Sequence, residues 1–447
     1  MIRSIKHKSR SAEAKTMKTS YRLGKTAAVS LLIGIVGLGI NGQSFAAPPN
    51  SLTAGTDAAA SAVNALGMDL LKQGVPPTEN ALISPYSIQS ALAMTYAGAD
   101  GDTKDEMTKT LHFSGDEEQL HADFAALQTA LAEVARKTTQ HAEQEKAKGE
   151  AADPVILTVA NRLFGDKSYE FLQPFMNRVK DSYHAPFELM DFRGASEPSR
   201  IAINEWVAEQ TQKRILDLIP GGGIDESTRL VLVNAIFLKA PWAMPFKAEA
   251  SKPAPFYVNG GTPKNVPTMT NRDSYGYARR DGYTAVAIPY YGGDLQFLVL
   301  LPDEMNGLAE LEKKLTPEAL TSCAQLKSTD VVLHLPKLKL EPPLLKLSDA
   351  LKSLGMRQAF SREPGLANFT RMALPQQGGN LAIAEVFHKT FLKLDEKGTE
   401  AAAATAVVML FVDGSSSLHF SYPIASSEKQ MGRVLCGCFR GCPGHGT

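Results

Sequence analysis

The sequence has few residues that could fix a fold from outside a hydrophobic core. Only four of its 447 residues are cysteines, and Cys323 is the single one before the last dozen residues. A disulfide-built scaffold is therefore excluded, because the body of the chain has no second thiol to pair with. With 44% hydrophobic residues the chain can bury a large core, which also excludes wholesale disorder.

The chain also lacks net charge, with 47 basic and 47 acidic residues. The balance conceals an asymmetry, because the first 46 residues hold eight Lys or Arg and one acid, which leaves a formal charge of −7 on the remainder. An acidic surface is poorly suited to bind a phosphate backbone. We therefore expect no nucleic acid among the partners.

The basic start precedes an apolar run of fifteen residues, Thr26 to Ile40, and then Ser44-Phe45-Ala46. This order is typical of a secretory signal peptide with a small-x-small cleavage site. We expect residues 1–46 to be removed and the mature protein to be extracellular or periplasmic, without a membrane segment. The alternative is a membrane anchor, although fifteen residues are short for a span.

Motifs of catalysis and metal binding are scarce. The sequence has no nucleophile elbow, no P-loop, no His-Glu-x-x-His and, in its body, no paired-cysteine zinc framework, so we expect no enzyme, no metal and no cofactor. His334 and His388 fall in strand-like segments and are interpreted as buried sheet histidines. A terminal metal site is a less favoured alternative, and its ligands would be Cys436, Cys438, Cys442 and His445.

Helical spacing dominates the first half of the chain. It covers residues 57–73, an apolar stretch after Ser84-Pro85, and residues 204–219. Strand-like runs dominate the second half, at 230–238, 283–288, 295–301, 331–340 and 386–394. The pattern predicts an α+β fold with more than one antiparallel or mixed sheet.

The most informative stretch runs from Leu394 to Met409, LDEKGTEAAAATAVVM. Its alanines favour a short helix, whereas Gly398 at its start and β-branched residues at its end equally favour a hinged segment that becomes a strand. With Glu400 facing solvent, the alternation of a strand places small or apolar side chains on the opposite face. These are Thr399, Ala401, Ala403, Thr405 and Val407, a set that could slide over a core without burying a charge.

Several ordered motifs resemble those of the serpin family, and the chain looks like an exported bacterial member from about residue 57 to Pro423. NALISPYSI at 80–88 is similar to the start of the helix beneath the main sheet, and VNAIFLKAPW at 233–242 to a strand and turn at the top of that sheet. The resemblance implies a single serpin domain over 47–447, with helices packed on a large mixed central sheet, smaller sheets and an exposed reactive loop at about 396–417.

What the resemblance implies is a suicide inhibitor of serine proteases. The protease attacks the loop and forms an acyl-enzyme, and the freed loop inserts as a new central strand. Counting from Gly398 as the family does, the resemblance implies a scissile bond between Val412 and Asp413, which would suit an elastase-like enzyme. Cleavage after Phe411 or Leu410 would instead suit a chymotrypsin-like or subtilisin-like enzyme. The partner is thus a serine protease, with a cysteine protease as a further option, and the protein is expected to be a monomer.

The resemblance also implies roles for two groups of residues. The hinge of the loop comprises Gly398, Thr399, Glu400, Ala401, Ala402, Ala403, Ala404 and Thr405. A sheet-opening cluster comprises Ser84, Ser87, Asn234, Trp242 and His388.

The C-terminus departs from the family pattern. After Pro423 only seven residues precede Met431-Gly432-Arg433-Val434, where the family has a long apolar hairpin, and residues 424–447 continue with a Cys- and Gly-rich end. Loss of two strands would leave apolar faces uncovered. The alternative function is therefore a non-inhibitory serpin-like binding protein or a protease substrate.

Overall fold

The computed structural model describes residues 31–32, 53–74, 80–150, 152–257, 262–376 and 379–413. All of them belong to one compact unit of the chain. Three predictions fall outside these ranges. They concern the signal peptide apart from Leu31 and Leu32, the segment 424–447 that departs from the family pattern, and the terminal metal site of three cysteines and one histidine. The predictions made for those segments stay predictions.

Helix starts follow local sequence signals. α2 begins directly after Ser84, whose Oγ accepts a hydrogen bond from the Ser87 amide at 3.4 Å, with Pro85 in its first turn. The long helix α4 is capped by Asp116 in the same way. The helices of the described ranges are α1 Thr53–Gly74, α2 Pro85–Tyr96, α3 Gly101–Thr110, α4 Glu117–Ala147, α5 Gln173–Tyr183, α6 Ser196–Gln210, α7 Leu308–Lys314, α8 Pro317–Thr321 and α9 Ser348–Ser353.

One predicted helix ends earlier than its spacing indicates. The sequence predicts helix over 204–219, whereas α6 spans Ser196–Gln210 and the chain beyond it is irregular. Positive φ angles at Gln212, Lys213 and Asp217 are incompatible with a continuing helix. The apolar residues that produced the helical spacing are nevertheless fully buried: Ile215, Leu218 and Ile219.

Strands of the described ranges form two large sheets and one short pair. The strands are β1 Leu31–Leu32, β2 Leu82–Ile83, β3 Ile156–Asp166, β4 Phe187–Met190, β5 Thr228–Pro241, β6 Lys252–Phe256, β7 Lys264–Arg280, β8 Tyr283–Pro289, β9 Gln296–Pro302, β10 Ser328–Pro336, β11 Leu338–Leu340, β12 Leu345–Lys346, β13 Asn380–Leu394 and β14 Gly398–Val412. A seven-stranded sheet has the order β11-β13-β14-β5-β3-β4, with β12 on β13, and a five-stranded sheet has the order β10-β7-β8-β9, with β6 on β7. β3 and β4 are parallel and the other pairs of the larger sheet are antiparallel, so this sheet is mixed as expected.

The segment predicted as an exposed reactive loop is a central strand in this structure. β14 lies between β13 and β5 and is antiparallel to both, from Gly398 opposite Pro241 to Val412 opposite Asn380. The expectation of an exposed loop is therefore not met by this conformation, and the short-helix alternative is wrong. The alanines adopt the strand because both neighbouring edges offer hydrogen bonds along its whole length.

Hydrophobic cores lie on both faces of this sheet. One contains α2 and residues of β14 such as Val407 and Met409. The other contains side chains of α6, of the irregular segment after it, and Ala402 and Ala404 of β14. The strand is consequently buried on both faces. Among the described residues, no helix is long and apolar enough to cross a membrane.

Candidate functional site

The first residues of β14 are held by two aromatic side chains. Trp242 stacks on Tyr290 with ring centroids 4.8 Å apart and an interplanar angle of 4°, and the Tyr290 hydroxyl donates a hydrogen bond to Thr399 Oγ1 at 2.7 Å. The Trp242 indole nitrogen donates to the carbonyl of Asp395 at 2.9 Å. The implied hinge and the implied cluster residue Trp242 therefore meet, and they do so through Tyr290, which sequence reasoning missed.

Gly398 is required here by space rather than by an unusual backbone angle. Its φ is not positive, but a Cβ at this position would lie 2.1 Å from the carbonyl oxygen of Ala240 on β5. A contact that short would force the two strands apart. The sequence argument valued Gly398 as a flexible hinge, and the inserted conformation adds a steric reason.

Charged groups flank the start of the strand. Arg214 Nε donates to Glu400 Oε1 at 2.7 Å, so the acid predicted to face solvent is half-buried and paired. Glu396 contacts Lys337 Nζ at 2.5 Å and accepts from Ser251 Oγ at 2.7 Å. Although partial burial opposes the shift, these two partners hold the pKa of Glu396 below its usual value.

Alternation along the strand follows the predicted parity. Thr399 and Thr405 point to the face that carries Tyr290 and α2, and Val407 packs into the core of that face. On the other face only Glu400 is partly exposed to solvent. The residues that follow it on that face pack into the second core: Ala402, Ala404, Ala406 and Val408. Small side chains are thus needed on both faces.

A buried polar cluster lies at the middle of the strand. The Ser84 amide donates to His388 Nε2 at 3.0 Å, so the neutral ring carries its proton on Nδ1. That Nδ1 lies 2.8 Å from Thr405 Oγ1, which in turn lies 2.9 Å from Ser87 Oγ. Ser84, Ser87 and His388 therefore form one network, and the hinge residue Thr405 completes it. Burial lowers the pKa of His388 to about 3.

Asn234 lies in the same row of paired residues across the sheet as Thr405 and His388, but its side chain bonds toward β3 and not toward β14. The row crosses four strands, since Asn161 pairs with Asn234, Asn234 with Thr405, and Thr405 with His388. Asn234 Nδ2 donates to Asn161 Oδ1 at 2.8 Å, and the structure gives Asn234 Oδ1 no hydrogen-bond partner within the described ranges. Four of the five predicted cluster residues thus gather around the middle row, and Trp242 lies apart at the hinge end.

The predicted scissile bond lies at the opposite end of the strand. Val412 is the last residue of β14 and is buried, whereas Asp413 is exposed. The Phe411 amide donates to the carbonyl of Ser227 at 2.9 Å. In this conformation the bond is not displayed on a loop, and its assignment as the cleavage site stays a prediction.

Comparison with known proteins agrees with this architecture. A model of the family Serpin (serine protease inhibitor) matches residues 61–422. Serpin B4 of Homo sapiens is 38% identical over 358 residues, which cover 78% of this chain and 89% of the relative. Leukocyte elastase inhibitor of Bos taurus is 38% identical over 344 residues, which cover 75% of this chain and 84% of the relative. The chain belongs to the serpin family.

Solved structures give the same result for the fold. Ovalbumin from emu (Dromaius novaehollandiae) superimposes with a TM-score of 0.71 at 27% identity, over 82% of this chain and 93% of that chain. Cleaved Serpin 42Da superimposes with a TM-score of 0.70 at 29% identity, over 79% of this chain and 90% of that chain. A loop-inserted, cleaved ovalbumin mutant also matches, with a TM-score of 0.69 at 26% identity over 78% of this chain and 91% of that chain.

The steric reason for Gly398 predicts a state-dependent effect of Gly398→Ala. The inserted, loop-cleaved form should lose about 1–3 kcal/mol of stability, while the uncleaved form with its loop exposed should be unchanged. Denaturant unfolding of both forms measures this. Gly221→Ala is the matched control, because its added Cβ would meet no atom within 4 Å. Equal losses in the two forms of Gly398→Ala would contradict the assignment.

The buried imidazole predicts a pH dependence of the inserted form. The pKa of His388 is about 3 when folded and near 6.5 when unfolded, so the unfolded chain takes up the proton first. Stability should be full above about pH 6.5 and fall as the pH drops toward 4.5, by up to ~1.4 kcal/mol per pH unit. Denaturant midpoints of the parent and His388→Gln across this range test the expectation, and identical pH slopes would refute it.

Proposed function

We propose that this protein is a suicide inhibitor of serine proteases that works by insertion of its cleaved reactive loop. The observation that carries the proposal is β14, a strand of 15 residues inserted between β13 and β5. Membership of a family described as serine protease inhibitors supports the proposal, as does the similarity to a cleaved serpin and to a loop-inserted ovalbumin.

The geometry accounts for the driving force. If each inserted residue gains net hydrogen bonding of ~1 kcal/mol, the strand contributes on the order of 10 kcal/mol, which is comparable with the whole stability of a typical domain. The conformation with the loop exposed is therefore metastable. Acylation of the protease by Val412 would release the loop at that end, and insertion would follow downhill.

The geometry also accounts for displacement of the protease. Gly398 stays beside Trp242 at the hinge end, while Val412 lies at the opposite end of β14. At ~3.3 Å per residue, 15 residues in a strand span roughly 50 Å. A protease bound through an ester to Val412 would be carried over a distance of this order, which would distort its active site and trap the acyl-enzyme.

The middle cluster would control opening of the sheet. Without β14, the side chains of Ser87 and His388 have lost Thr405, and they must find other partners or water because buried polar groups are costly when unpaired. We assign Ser84, Ser87, Asn234 and His388 this sheet-opening role, and Trp242 the role of marking where insertion begins.

The finer features are proposals as well. Val412 before the scissile bond favours a small apolar specificity pocket, and relatives named leukocyte elastase inhibitor support an elastase-like target. A cysteine protease is a second class of target. The basic start and the apolar run that follows it favour export, and we propose an exported bacterial serpin. We also propose that it acts as a monomer. The departure of residues 424–447 from the family pattern keeps a non-inhibitory binding protein or a substrate as the second candidate function.

Mixing the mature protein with an elastase-like and with a chymotrypsin-like serine protease tests inhibition directly. We expect a band on a denaturing gel at the summed mass less the peptide that begins at Asp413, because that peptide leaves when the acyl ester forms and the ester survives denaturation once the protease is trapped. Mass spectrometry of the released peptide locates the cleaved bond. Cleavage at Val412–Asp413 without the covalent band would establish the substrate alternative.

A charge introduced on the buried face of the hinge should convert the inhibitor into a substrate. Thr399 is 4% exposed and bonded to Tyr290, so Thr399→Arg would bury an unpaired guanidinium during insertion, at a penalty of several kcal/mol. We expect loss of the covalent complex with cleavage retained. Glu400→Gln is the control on the opposite face, since its amide oxygen can still accept from Arg214 and no unpaired charge is introduced into the strand. Equal behaviour of the two variants would refute the parity on which insertion depends.

A further inference from the structure

The far end of β14 carries a contact that neither the hinge nor the polar cluster explains. Phe411, the residue before Val412, packs edge-on against Tyr169 with ring centroids 6.2 Å apart. The guanidinium of Arg229 lies 5.4 Å from the centroid of the Phe411 ring and 6.0 Å from that of the Tyr169 ring. We call Arg229 and Tyr169 the far-end clamp.

Arg229 owes its place to an irregularity in β5. The pairing register between β14 and β5 shifts between Met409 and Leu410, which leaves Arg229 as the extra residue of a bulge. Its Nη1 donates to the carbonyls of Glu226 and Thr228, both at 2.8 Å. These bonds fix the guanidinium beside the position that the Phe411 ring occupies.

The clamp is fitted to an aromatic side chain. Arg229 is only 8% exposed, and burial lowers its pKa, so a π face is a favourable neighbour for its charge. On the β13 side, Gly379 leaves room for the ring, because a Cβ there would lie 2.4 Å from Phe411 Cζ. The charge of Arg229, its burial and the space at Gly379 therefore all favour the aromatic ring of Phe411 at this position.

We infer that Arg229 and Tyr169 are positioning residues that capture Phe411 at the end of loop insertion and thereby complete the displacement of the protease. The inference rests on the proposed function, since Phe411 reaches the clamp only when its segment is a strand. In the exposed loop Phe411 lies beside the scissile bond, so the clamp contact belongs to the inserted state alone. A protease esterified to Val412 is one residue from the clamp, and capture would hold it at the far end of the sheet.

Unfolding rates in guanidinium chloride test the contact. In protein cleaved at Val412–Asp413, Arg229→Gln should speed unfolding about fivefold more than it does in uncleaved protein, the equivalent of ~1 kcal/mol for a desolvated cation–π contact. Loss of the Arg229 contacts with Glu226, Thr228 and Tyr169 is common to both forms, so only the fivefold excess reports on Phe411, and that excess should disappear when Phe411→Leu is already present. Arg162→Gln is the matched control, because Arg162 lies 5.9 and 5.1 Å from two ring centroids on β3 and α6 that do not belong to β14. It should affect cleaved and uncleaved protein equally.

Inhibition provides a second readout that a merely structural role would not move. With Arg229→Gln, the fraction of encounters that end in the covalent complex should fall at least twofold, while the second-order rate of loop cleavage stays at the parent value. Additive effects of Arg229→Gln and Phe411→Leu, or equal acceleration of unfolding in uncleaved protein, would overturn the clamp. Absence of a covalent complex in the parent would overturn the proposed function instead, and the unfolding rates of the cleaved form would still decide on the clamp.

Discussion

A strand that enters the middle of a sheet must form hydrogen bonds along both of its edges and pack on both of its faces. The rest of the structure depends on this constraint. Both edges of β14 bond to neighbouring strands, and both faces pack into hydrophobic cores. Bulky side chains would have to find cavities already formed on both sides, and a charge would lose its water. The run of four alanines from Ala401 to Ala404 meets the constraint with the smallest side chains that still favour an ordered backbone.

The same constraint makes the position of β14 conditional. When the strand is absent, the facing edges of β13 and β5 must pair with each other or leave backbone groups unsatisfied, and the middle row of polar side chains must rearrange. Thr405 is the polar residue of β14 that meets His388 and Ser87. A buried network of this kind is most stable when every member has a hydrogen-bond partner. A state in which β13 and β5 are only partly separated leaves some members without one. The sheet is thereby bistable rather than gradually deformable.

Local features of the fold could be predicted from the sequence, whereas the partners of the site could not. Ser84 as a helix cap, the strand-like runs and the parity of the hinge each depend on neighbours in the chain. Tyr290 and Asn161 reach the site through tertiary packing, and one sequence carries no signal for them. Arg229 reaches Phe411 through a bulge, and that bulge results from the pairing of β5 with β14, which cannot be read from either strand alone. The exposed and inserted conformations of the loop could not be distinguished either, because the same small residues suit both.

The two ends of β14 differ in how their contacts can form, and this difference gives insertion a direction. At the hinge end, Asp395 and Gly398 are bonded to each other across a tight turn, with N to O distances of 3.0 and 3.3 Å. Pairing there closes a very short loop, so its entropic cost is small. Each further pair of β14 with β13 extends an existing hairpin, and Phe411 is among the last residues to arrive. Insertion should therefore begin at Trp242 and Tyr290 and end at Arg229 and Tyr169, so that contacts at the hinge govern how readily the sheet opens and contacts at the far end govern how completely the attached protease is moved.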